Sequence, residues 1–155
     1  MIFVTIGTQL PFDRLIKTID ELAPQIDEEI IAQVHQCGFT PKNIKTISFL
    51  APDKFNELFD KARVIVAHAG MGTILSALQK NKPIIIFPRI AAMGEHRNEH
   101  QLATAKKFKE AGFVYVVNEG EGLKKLLQCT DLEPLHHIGT NASRMLVASL
   151  KEYIG

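Results

Sequence analysis

VIVAHAGMGTILSAL, residues 64–78, decides how this chain is read. Val64–Ala67 is a short unbroken apolar run, mostly β-branched, which is the pattern of a strand covered on both faces. It breaks at the small-residue turn Ala69-Gly70-Met71-Gly72, and a helical pattern opens with Thr73. A strand that feeds a glycine turn and then a helix leaves backbone N–H groups uncommitted at the helix start. The helix dipole favours negative charge at the same place, so the turn is either a phosphate cradle or a plain tight turn. The next apolar run, Pro83–Phe87, ends in a polar loop and a helix dense in hydrogen-bonding groups, Glu95 to Gln101. Two neighbouring strands that both end in polar chemistry suggest a ligand crevice at the carboxyl edge of a parallel sheet.

Working outward, the same alternation covers the rest of the chain. Ile2–Ile6, Glu29–His35, Lys45–Leu50 and Phe113–Val117 read as further strands, the last at an edge. Phe12, Leu15, Ile16, Ile19 and Leu22 recur at three- and four-residue steps, and so predict an amphipathic helix ending near Pro24. Helices are also predicted from Pro52, over Gly72–Lys80, from about Asn98 to Glu110, over Glu121–Gln128 and over Thr140–Tyr153. The pattern is an α/β fold: a Rossmann-like parallel sheet with helices on both faces.

At 155 residues the chain fits one domain, 1–155. Apolar residues make up 46% and charged residues 23%, ordinary values for a globular protein. A formal net charge of +1 and scattered basic residues give no field for nucleic acid. Cys37 and Cys129 have no metal-type spacing and suggest no disulfide framework. The opening MIFVTIG lacks a basic start and is too short for a signal or membrane span. The chain is expected in the cytoplasm, reaching a membrane only through a partner.

Several groups compete for functional roles. Gly70 and Gly72 give G-x-G, but Leu75 stands where a dinucleotide fingerprint needs its third glycine, and Ala92 stands where its ribose acid belongs. Gly7 and Thr8 end the first strand, as either a ligand loop or an ordinary capped turn. His96 and His100 share a helical face, but H-E-x-x-H is absent and no third ligand presents itself, so no metal is expected. Glu95, Glu99, His100 and Gln101 suit either a solvated helix start or the recognition of sugar hydroxyls. His68 follows a buried strand and tilts towards the site. The stripe Met145, Leu146, Ser149, Leu150, Tyr153 and Ile154 packs on this sheet or on another chain.

The set GTQ at 7–9, HAGMGT at 68–73, KP at 82–83 and HQ at 100–101 resembles the C-terminal, donor-binding half of family 28 glycosyltransferases. The resemblance covers most of the chain. It is strongest to the stand-alone subunit type found in dolichol-linked N-acetylglucosamine transfer and bacterial exopolysaccharide synthesis. It implies the C-terminal half of a GT-B enzyme that binds a UDP-sugar as donor substrate, with no cofactor and no metal. It also implies a membrane-anchored, acceptor-binding partner subunit and a lipid-linked saccharide acceptor. By the same resemblance Gly7 and Thr8 face the donor phosphates, and Ala69, Gly70, Met71, Gly72 and Thr73 present amides to the diphosphate. Phe49 and Leu50 hold uracil, and His100 and Gln101 contact the sugar. Ser76 departs from the family, where many relatives carry a ribose-binding glutamate; Glu95 or Glu99 would then take that role. The general base is expected on the partner, with His68 the candidate in this chain. Two rival readings stand beside it: a non-catalytic nucleotide-sugar-binding or enhancer subunit, and half of a nucleotide-sugar epimerase. An isolated half-enzyme would expose its partner-facing surface and could self-associate.

Overall fold

The computed structural model describes residues 1–7, 11–34, 38, 40–90, 93–94, 100–129 and 131–134. Among these residues six strands form one sheet: β1 (Ile2–Thr5), β2 (Ile30–Gln33), β3 (Lys45–Ile47), β4 (Val64–Ala67), β5 (Ile84–Ile86) and β6 (Tyr115–Val116). Their order is β3-β2-β1-β4-β5-β6 and every pairing is parallel. β1 therefore lies at the centre, with Thr5 beside Gln33 on one edge and Ala67 on the other. The strand order reverses between β1 and β4, and in such sheets the crevice above that reversal takes the ligand.

Among the described residues five α-helices cover the sheet: α1 (Asp13–Leu22), α2 (Pro52–Lys61), α3 (Met71–Gln79), α4 (His100–Glu110) and α5 (Gly120–Gln128). Successive side chains of a strand point to opposite faces, so each central strand feeds two cores. Ile2, Val4 and Ile6 pack with Leu15, Ile16 and Ile19 of α1 and Leu123 and Leu127 of α5. Phe3 and Ile65 turn the other way, towards Phe59 of α2, Ile74 and Leu78 of α3 and Phe108 of α4. This two-sided burial is why the strands read as continuous apolar runs rather than alternating ones. Among the described residues no helix is long and apolar enough to cross a membrane.

The observed elements differ from the sequence reading mainly at their ends. β3 stops at Ile47 rather than Leu50, because Ser48, Phe49 and Leu50 leave the sheet to line a cavity. α3 opens at Met71, one residue before the expected Gly72, with Gly70 as its N-cap. β6 is shorter than expected and does lie at the edge. The helix expected over 140–153 lies outside the described residues.

Candidate functional site

The carboxyl ends of the central strands open on a cavity of about 380 Å³. Thr5 and Gln33 form its floor, the last residues of β1 and β2. The Thr5 hydroxyl donates to Gln33 Oε1 at 2.8 Å. Phe49, Leu50 and Phe55 give it an apolar wall, while Gly7 and Thr73 close the side nearest α3. Phe49 is 78% exposed, the largest exposure of any large apolar side chain among the described residues. A flat aromatic face held open beside a neutral cavity is a stacking platform for a planar ring.

At the side nearest Thr73 stands the start of α3. Its first helical bond runs from Ile74 N–H to Gly70 O at 3.1 Å, so the amides of Met71, Gly72 and Thr73 precede the ladder. Among the described residues no side chain caps this end. A Cβ at Gly72 would meet nothing within 4 Å among the described residues. Open amides, a helix dipole and free space together suit an anionic group.

His68 joins the two glycine turns. Its imidazole lies against both Gly7 and Gly70, and a Cβ on either glycine would stand 2.7 Å from Nε2. Gly7 also has φ +79°, which only glycine adopts without strain. These two glycines are therefore required by packing, whereas Gly72 is not. His68 is only 9% exposed, so its ring acts first as a spacer between β1 and β4.

Of the residues expected at the site, Gly7, Phe49, Leu50 and Thr73 line one cavity, and His68 and Gly70 adjoin it through Gly7. Ala69 is buried in the core beneath α3. Gln101 stands apart from the cavity lining. It is 7% exposed, and its Oε1 accepts the Arg89 amide N–H at 3.1 Å, joining α4 to the segment after β5. Thr8, Glu95 and Glu99 lie outside the described residues, and of His100 only its place in the first turn of α4 is described. Sequence reasoning missed Thr5, Gln33 and Asn56, which also line the cavity. Thr5 and Gln33 did carry a signal: each is a polar residue closing an apolar strand.

Residues 1–152 match the family described as Glycosyltransferase family 28 C-terminal domain. The chain belongs to that family. The family 28 domain is 31% identical over 127 residues to the human protein named UDP-N-acetylglucosamine transferase subunit ALG13, covering 74% of this chain and 11% of that protein. The Candida glabrata protein of the same name is 26% identical over 133 residues, covering 83% of this chain and 63% of its own length. The chain thus spans about a tenth of the human relative and less than two thirds of the fungal one. Among solved structures, an NMR solution structure of ALG13 superposes with a TM-score of 0.62 at 20% identity, covering 94% of both chains. Acinetobacter baumannii MurG superposes with a TM-score of 0.53 at 15% identity, over 97% of this chain and 49% of that one. Both likenesses show the fold, with the MurG match spanning about half of that larger protein.

Proposed function

We propose that the chain is a glycosyltransferase subunit that binds a UDP-sugar in the crevice above β1 and β4. It would transfer the sugar to a lipid-linked acceptor together with a membrane-anchored partner subunit. The uncapped start of α3 beside the cavity is the observation that carries this reading. Phe49 and Leu50 would hold the uracil, the amides of Met71, Gly72 and Thr73 the diphosphate, and His100 with Gln101 the sugar. UDP-N-acetylglucosamine is the donor we favour, supported by the name of the ALG13 relatives.

The transfer needs no metal in this scheme. An acceptor hydroxyl attacks the anomeric carbon as UDP departs, and negative charge builds on the leaving diphosphate. Amides and a helix dipole aimed there would lower the barrier more than they bind the ground state. A general base must take the acceptor proton. His68, wedged between two glycines and nearly buried, is poorly placed to meet an acceptor, which supports a base on the partner.

Calorimetry with UDP, UDP-N-acetylglucosamine, UDP-galactose and UDP-glucose tests the binding half directly. Micromolar to millimolar binding of uridine nucleotides without divalent metal is expected; no binding of any of them would end the proposal. Substituting His100 in a reconstituted pair separates catalysis from enhancement. Turnover lost from an intact complex fits a catalytic subunit, and unchanged turnover fits an enhancer.

A further inference from the structure

Arg89 follows β5 and is 2% exposed, yet no step above uses it. Its guanidinium donates through Nη2 to Ile6 O at 2.6 Å and through Nη1 to Pro11 O at 2.8 Å. Those two carbonyls lie on either side of residues 7–10, so one rigid group ties both ends of the segment between β1 and α1. The guanidinium also lies over the Phe12 ring, 4.8 Å from its centroid, which orients the fork. The backbone N–H of the same residue donates to Gln101 Oε1 at 3.1 Å. Arg89 thus joins three pieces: the end of β1, the start of α1 and the first turn of α4.

Arg14 reinforces the same junction from the exposed side. Its Nη2 donates to Pro88 O at 2.9 Å, and its guanidinium lies 4.5 Å from the Phe87 centroid. Phe12 is therefore bordered by two guanidinium groups, Arg14 and Arg89. A lysine at position 89 could not reproduce this arrangement. Its ammonium is a point charge without a planar fork, so it could not hold both carbonyls and lie flat over the Phe12 ring in one geometry.

We propose that Arg89 is a positioning residue: it fixes Gly7, next to Ile6, relative to α4, setting the distance between Gly7, which the family resemblance turns to the diphosphate beside the α3 amides, and Gln101, which it turns to the sugar. This rests on the UDP-sugar reading above. It predicts a specific split, because Arg89 is tied to the β1, α1 and α4 segments, while the base wall of Phe49 and Leu50 follows β3.

The test compares uridine and UDP binding to the full chain, wild type and Arg89→Lys, by calorimetry. Uridine affinity is expected to stay within about twofold, while UDP weakens about tenfold, the scale of one lost charge-assisted hydrogen bond. In Arg89→Ala, millimolar methylguanidinium should restore UDP affinity and leave uridine unaffected; this variant also serves if Arg89→Lys fails to fold. Parallel weakening of both ligands, or no change in either, overturns the proposal. If wild type binds neither ligand, the UDP-sugar reading fails on its own account. Amide exchange then judges the clamp: the Gly7 amide should exchange at least about tenfold faster in Arg89→Lys than in wild type, with Val66 unchanged, whereas equal exchange refutes it.

Discussion

Gly72 and Gly70 stand two residues apart and make opposite demands. A methyl group on Gly70 would collide with the His68 ring, so Gly70→Ala should cost on the order of 1–3 kcal/mol of stability, measured by denaturant unfolding. At Gly72 a methyl group meets only open space, in the first turn of a helix. Gly72→Ala should therefore be neutral or gain up to about 1 kcal/mol. UDP affinity should nevertheless fall, because the methyl fills the space above the amides. A Gly72→Ala protein that keeps full UDP affinity would argue against a diphosphate at this turn. Phe49 offers the matching test at the base end. Being 78% exposed, it contributes little to the core, so Phe49→Ala should shift stability by less than about 0.5 kcal/mol. Uridine affinity should drop about tenfold or more, the scale of one lost base–aromatic stack.

At the scale of elements, the end of the sheet opposite the crevice is held by ions. Glu28 accepts from the N-terminal ammonium at 2.6 Å and pairs with Arg63 at 2.9 Å. Arg63 in turn donates to Leu127 O and Cys129 O, closing the carboxyl end of α5. Burial pushes the Glu28 carboxyl upward, but the hydrogen bonds and charges of Arg63 and the N-terminus together outweigh it, leaving the pKa below the usual glutamate value. The stabilisation is thus fully present above the unfolded-state pKa and disappears as pH falls through the lower folded one. Thermal unfolding between pH 6 and 3 should show wild type losing its advantage over Glu28→Gln, by about 1 kcal/mol at most for a partly solvated pair. Fold class and element order were legible because both faces of the sheet are covered, which writes the strands as unbroken apolar runs. Strand ends were not: Ser48–Leu50 continue the β pattern, and only the cavity beside α2 explains why they leave the sheet. The turn at Gly70 and the wall at Phe49 and Leu50 could be read from local sequence and the family resemblance. The Arg89 clamp could not, since it links positions 6, 11, 89 and 101, which only the folded sheet brings together.

For the whole molecule, the proposed division of labour makes a clear statement about activity. The isolated chain should bind UDP-N-acetylglucosamine yet release no measurable UDP in the presence of a lipid-linked acceptor, and turnover should return when the partner subunit is added. A coupled assay for UDP release checks both halves, and ordinary turnover by the chain alone would contradict the split. The sheet order also governs how this molecule is made. β1 can pair with β2 once residues 30–33 exist, but its other edge stays bare until residues 64–67 are synthesised. The amino-terminal third thus leaves the ribosome as a half-sheet with an unpaired central edge, the kind of edge that recruits stray strands. Docking of β4 covers that edge and seats His68 against Gly7, and the bare edge passes outward to β4 until residues 84–86 pair with it, so the hazard moves along the sheet strand by strand as synthesis proceeds.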